Sequence, residues 1–285
     1  ELAQSVRIGA AQLEADELLR GVAHVRLVAE VHPVAGLLGE LSPDLRSVGV
    51  ELLGGDALGP AHLDLSATWI EPGDDVVVCI NGVFGMRMAD LAIRCGANVM
   101  KVEAPWGEII RPEQVKEAVA GKSPKLIALV HAETSTGALT PAEEISKIAH
   151  DAGALMMLDT VTSLGGCEVD IDGWSIDAVY SGTQKCLSCP PGLAPVSLSP
   201  KALKIANNRK TQVQSWYLDV NLLSGYWGTE RVYHHTAPIS MNYALHESLR
   251  LVLEEGLQTR WARHKANHEK LAAGLKKLGL GIASQ

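Results

Sequence analysis

From Asp75 onward the chain alternates short runs that are apolar on both faces with stretches of helical periodicity. That alternation limits the fold more than any other feature of the sequence. Asp75–Ile80 (DVVVCI) reads as a strand, Met86–Cys95 as an amphipathic helix and Val99–Glu103 as the next strand. Pro112–Ala120 follows with helical composition, and Lys125–His131 (KLIALVH) is again apolar on both faces. Thr140 stands as the N-cap of a helix over Pro141–Ala152, with Glu143 at capping-box spacing. Ala154–Asp159 (ALMMLD), Ala178–Ser181 and Ala194–Leu198 complete the strands, and Ser199–Asn207 starts a helix with Pro200 in its first turn. A strand without a polar face is covered on both sides. The pattern therefore predicts an α/β fold, a mostly parallel sheet sandwiched by helices.

The C-terminal ends of parallel strands lie along one edge, where such folds gather their chemistry. Three of these ends deliver polar residues: Glu133-Thr134-Ser135 after the first strand, Asp159 and Thr160 after the second, and Ser181-Gly182-Thr183-Gln184-Lys185 after the third. Lys185 sits on a short loop closed by Pro190-Pro191-Gly192. Alone it would be a surface lysine on a solvated turn, and Asp159 alone would be a turn former. Together they are an Asp ending an apolar strand and a Lys beyond the end of the next strand, 26 residues on. A buried carboxylate, a lysine and hydroxyl donors in one crevice suit pyridoxal phosphate, with lysine as the covalent anchor and the carboxylate as partner of the protonated pyridine nitrogen.

The bulk numbers narrow the partners. A net charge of −8 with no basic stripe argues against nucleic acid. Apolar runs such as Leu126–Val130 are too short to cross a bilayer, and no secretory pattern opens the sequence. Five scattered cysteines are no disulfide framework, which points to a reducing cytoplasm. Cys186 and Cys189 form a lone C-x-x-C pair, read as small buried thiols and not as a metal site.

The segments HAETSTG, LDTVTSLGG, YSGTQKCLSCPPG and YHHTAP resemble the alanine–glyoxylate and serine–glyoxylate aminotransferases, class V enzymes of fold type I that use pyridoxal 5′-phosphate. The resemblance runs from about Glu71 to about Leu280. It implies that Lys185 is the Schiff-base lysine, that Asp159 pairs with the pyridine nitrogen and that Val161 packs on a ring face. Thr134 matches a hydroxyl donor near the phenolic oxygen, and Gln184 a phosphate contact. Tyr233 and Thr236 match residues that reach the phosphate of the neighbouring subunit, so the resemblance implies a homodimer with a shared site. Phe84, the chain's one phenylalanine, stands where many members stack a tryptophan on the ring. The substrates implied are small amino acids and 2-oxo acids: alanine or serine as donor, glyoxylate as acceptor.

Residues 1–70 are unlike the family, lack lysine altogether and show no convincing sheet, although Asp16–Leu19 and Val34–Leu41 have helical composition. The stretch DALGPAHLDLSATWI occupies the place of a Ser-Gly-x-Gly-like turn that would cradle the phosphate. Residues 71–255 are expected to form the cofactor-binding large domain and 256–285 the start of a C-terminal domain cut short at Gln285. Trp216–Trp227 reads as loop, Asn242–Leu278 as a long helical segment, and Arg250, Arg260 and Arg263 as solvent-facing charges on it. Two other functions compete: a non-catalytic cofactor-binding remnant, and a lyase or desulfurase on the same fold. Related desulfurases carry His where Gln184 stands and a Cys further on, whereas no cysteine follows Cys189.

Overall fold

The computed structural model describes residues 50–54, 63–227 and 232–284. The helical compositions noted at Asp16–Leu19 and Val34–Leu41 lie outside the described residues, as does the centre of the expected phosphate turn.

The strands fall where the sequence pattern puts them: β2 (Asp75–Ile80), β3 (Asn98–Glu103), β4 (Leu126–Val130), β5 (Leu155–Asp159), β6 (Ala178–Tyr180) and β7 (Leu193–Leu198). An edge strand, β1 (Val50–Gly54), precedes them in a segment whose sequence shows no strand pattern. Among the described residues one seven-stranded sheet forms, in the order β1-β7-β6-β5-β4-β2-β3. The pairs from β3 through β6 are parallel, and β7 is antiparallel to both β6 and β1. Alternate side chains of β2, β4 and β5 enter different cores. Val76, Val78, Leu126, Ala128 and Leu155 pack on one face, and Val77, Cys79, Ile127, Leu129 and Met156 on the other. This is the doubly covered sheet the sequence predicts.

Helices α1 (Val83–Arg94), α2 (Pro112–Val119) and α3 (Ala142–Asp151) cross between parallel strands, and α4 (Pro200–Asn207) follows β7. Ser199 caps α4, its Oγ accepting from Ala202 N at 3.1 Å. Thr140 does not cap α3. Pro141 holds that place, and the fully buried Thr140 hydroxyl accepts instead from Asn81 Nδ2 at 3.4 Å. The stretch read as loop contains α5 (Val220–Trp227). The long C-terminal helix is two, α6 (Ile239–Glu255) and α7 (Leu257–Lys277), broken at Gly256, whose φ of 77° a glycine adopts without steric cost.

One feature of the strand order places the site. From β2 the chain moves outward to β3, then crosses back to β4 on the other side of β2. The carboxyl ends of β2 and β4 therefore border a topological switch point, where open α/β sheets form a crevice.

Candidate active site

At that crevice β2 ends in Asn81-Gly82, and Gly82 opens α1. The first turn of α1 has no side-chain cap of its own. The cap comes from β4's end instead. Glu133 accepts from Phe84 N and Gly85 N, both at 3.2 Å to Oε2, and from Ser135 N at 3.1 Å and Ser135 Oγ at 2.7 Å to Oε1. Ser135 Oγ in turn accepts from Val83 N at 2.9 Å. A carboxylate at a helix N-terminus is stabilised by the unpaired amides and by the helix dipole. The approach is close enough that a Cβ on Gly82 would fall 2.4 Å from Glu133 Cγ.

Next along the edge, the parallel register sets Asp159 between Val130 of β4 and Tyr180 of β6. Asp159 is 3% exposed; its Oδ1 accepts from Val161 N at 2.8 Å and its Oδ2 from the Tyr180 hydroxyl at 2.9 Å. Burial pushes its carboxyl up to about 6, the Glu133 carboxylate adding to the rise, while the bonds from Val161 and Tyr180 pull it down. Burial, with Asp159 beside it, raises the Tyr180 phenol well above its usual value, so Tyr180 stays the donor.

Beyond β6, Gly182 lets two side chains close in: a Cβ there would lie 2.9 Å from Gln184 Oε1 and 3.3 Å from Val161 Cγ1. Lys185 follows, exposed, on a loop that is itself well tied. Thr183 Oγ1 donates to the Pro190 carbonyl at 2.8 Å, Cys189 N to Thr183 O at 3.0 Å, and Cys186 Sγ to Thr162 O at 3.3 Å. Asp159, Val161, Gln184 and Lys185 thus share one edge of the sheet, and Glu133 holds the Phe84 amide at the neighbouring strand end. The Phe84 ring already carries the Arg87 guanidinium 5.3 Å from its centroid. Thr134 is exposed beside Glu133, and its side chain makes no hydrogen bond among the described residues. Tyr233 and Thr236 stand apart. Tyr233 is 74% exposed, and its hydroxyl is 3.1 Å from that of Thr236.

Two of the residues assigned by sequence to plain roles behave otherwise. Arg260 does not face solvent: it is 6% exposed and bonded to the lysine loop. Tyr180, read as an apolar strand residue, supplies a hydroxyl to Asp159. Glu133 stands among the polar residues at the strand ends, and sequence alone assigns it no role. A carboxylate following a five-residue apolar strand was the available signal for it.

The comparisons with known proteins follow that geometry. The family Aminotransferase class-V matches residues 54–282. The chain belongs to that family. Among curated relatives it is 42% identical over 234 residues to the (S)-ureidoglycine–glyoxylate transaminase of Bacillus subtilis, covering 76% of this chain and 56% of that one. It is 41% identical over 214 residues to the alanine–glyoxylate aminotransferase of Rattus norvegicus, covering 74% and 52%. A solved alanine–glyoxylate aminotransferase from Nostoc sp. superposes with TM-score 0.78 at 44% identity, over 84% of this chain and 62% of that one. The chain thus spans between half and two thirds of the length of these relatives.

The cofactor implied by this family is pyridoxal 5′-phosphate. The residues present fit it. Asp159 is a buried carboxylate with no cationic partner among the described residues, a place that a protonated ring nitrogen would satisfy. No group of three or more His, Cys, Asp or Glu among the described residues could hold a metal ion.

Proposed function

We propose that the chain is the cofactor-binding part of an aminotransferase that moves an amino group from a small donor, alanine or serine, to glyoxylate. Glyoxylate stands in the names of both relatives above; the Bacillus subtilis protein adds (S)-ureidoglycine to the donors worth assaying. The observation that carries the reading is the alignment, at adjoining parallel strand ends, of buried Asp159 with the loop bearing Lys185.

Pyridoxal phosphate, when bound, supplies an electron sink for the bonds at the Cα of an attached amino acid. The chain's own residues do the rest. The Lys185 amine would hold the cofactor, and whenever it is free the same lysine amine would carry a proton to and from the donor's Cα. Asp159 as carboxylate keeps the ring nitrogen protonated, and the Tyr180 hydroxyl and Val161 amide orient its two oxygens. Val161 and Phe84 offer apolar surface to the ring, Thr134 a hydroxyl to its phenolic oxygen and Gln184 an amide to its phosphate. Tyr233 and Thr236, exposed and paired with each other, reach the phosphate of a second copy in a homodimer. Their exposure supports that part of the reading. The free cysteines suit a reducing compartment such as the cytoplasm, and no described helix is long and apolar enough to cross a membrane.

The likeness to a cysteine desulfurase, at 16% identity, is one of fold alone. The test is amino-group transfer by the purified chain supplied with pyridoxal phosphate, alanine and glyoxylate. Pyruvate and glycine should form in equal amounts. A chain that holds the cofactor on Lys185 yet transfers nothing from alanine, serine or (S)-ureidoglycine is the non-catalytic remnant instead.

A further inference from the structure

Arg260, on the first turn of α7, is 6% exposed, a rare place for a guanidinium unless it is paired. Its Nη1 donates to Glu255 Oε2 at 2.8 Å. Its Nη2 donates to the Cys186 carbonyl and, at 3.0 Å, to Ser188 Oγ. Two of these three partners lie on the loop that carries Lys185.

The loop needs holding at that point. Ser188 has a φ of 61°, in the left-handed region that a serine enters only when neighbouring contacts over-determine it. Its N–H donates to Lys185 O at 2.9 Å, its carbonyl accepts from Ser248 Oγ of α6 at 3.3 Å, and its hydroxyl accepts from Arg260. The contacts arrive from both sides of the Gly256 elbow between α6 and α7.

We infer that Arg260 is a positioning residue, fixing the Cys186–Ser188 backbone and so the point from which the Lys185 side chain leaves toward the cofactor. The inference rests on the reading of Lys185 as the attachment residue. A guanidinium suits the task because its planar fork serves several acceptors at once, whereas an ammonium is a single point donor. Glu255 orients Arg260 and is itself held by Arg263, whose Nη2 donates to Glu255 Oε2 at 2.9 Å. An ion pair serving only to stabilise α7 would need Glu255 and nothing from the loop. Arg263 provides the internal comparison: it shares the glutamate and the helix, but among the described residues its bonds all go to Glu255.

Two readouts on the full chain test this: amide hydrogen exchange, and the rate at which pyridoxal phosphate becomes fixable to Lys185 by borohydride. In Arg260→Ala, exchange across Thr183–Cys189 should rise about tenfold or more while β4 and β5 keep wild-type protection. The attachment rate should fall about tenfold or more, in keeping with what a displacement on the order of 1 Å costs an aligned reaction. Arg260→Lys should recover part of both, and Arg263→Ala should change neither. Wild-type exchange and attachment in Arg260→Ala would overturn the inference. Equal losses in Arg260→Ala and Arg263→Ala would also overturn it, by making the cluster a helix-stabilising ion pair only. If Arg260→Ala does not fold, Ser188→Ala removes one of the loop's acceptors. Slower attachment with unchanged core exchange then supports the inference, and an unchanged rate contradicts it. A wild-type chain that attaches no cofactor at Lys185 would defeat the reading of the site, leaving exchange to judge the clamp alone.

Discussion

Asp159 is held by one backbone amide and one phenol, and its carboxyl is raised from 3.8 to about 6, chiefly by burial. A folded-state pKa above the unfolded one means that the native chain binds this proton more tightly. The stability it contributes is complete below about pH 4 and is lost as pH rises through about 6, a difference of about 3 kcal/mol. In urea unfolding of the cofactor-free protein, Asp159→Asn should therefore flatten the decline in stability between pH 4 and 6. A slope as steep as the wild type's would place the titration elsewhere. The asparagine keeps one acceptor for two donors, so part of the gain at pH 7 is offset by an unpaired polar group. The same change should slow amino transfer by about 10²- to 10³-fold, because a neutral amide cannot keep the pyridine nitrogen protonated. A buried carboxylate that costs stability yet serves the chemistry is common at functional positions.

At the scale of elements, α1 depends on a carboxylate from another strand. Glu133→Ala would leave the Phe84 and Gly85 amides without their acceptor and should cost about 2 kcal/mol, read as a shift in urea midpoint. Gly82→Ala, which sets a Cβ 2.4 Å from Glu133 Cγ, should push the carboxylate off the helix and cost about 1–3 kcal/mol. If both variants unfold as the wild type does, α1 is capped by something else. Most of the sheet from β2 to β7 was legible because its central strands β2, β4 and β5 are apolar on both faces, a pattern that solvent-exposed structure does not sustain. β1 was not, since VELLG lies in a Leu- and Gly-rich stretch without turn signals, and only its pairing to β7 defines it. Thr140 had the spacing of a cap, but the tertiary structure used its hydroxyl for Asn81. The apolar period runs on across Gly256, where only the backbone angle reveals a break. In the site, Lys185 and Asp159 could be read from composition at strand ends. Arg260 and Glu133 could not, because the partners that give them their roles, the lysine loop for Arg260 and the first-turn amides of α1 for Glu133, lie 72 or more and 48 or more residues away. Leu257, Arg260 and Trp261 share helical spacing, a hint that Arg260 is drawn into the packed face.

For the whole molecule, the proposal is that a second copy completes the site. Tyr233 and Thr236 bond to each other on an exposed surface, with His234 behind them stacked on Trp216 at 4.2 Å. Cofactor should then tighten the dimer and the dimer tighten cofactor, since coupling of the two equilibria is reciprocal. Sedimentation velocity with and without pyridoxal phosphate should show the dimer fraction rising with cofactor, and Tyr233→Phe with Thr236→Ala should abolish the rise. A monomer that binds cofactor equally tightly at every protein concentration excludes the shared site. All of this depends on the cofactor being anchored where the three strand ends meet. The most direct test is borohydride reduction of the chain with pyridoxal phosphate, followed by peptide mapping. One cofactor per chain should be found, on Lys185, and none at that stoichiometry in Lys185→Ala. Label spread over other lysines, or a Lys185→Ala chain that retains one cofactor, would contradict the account.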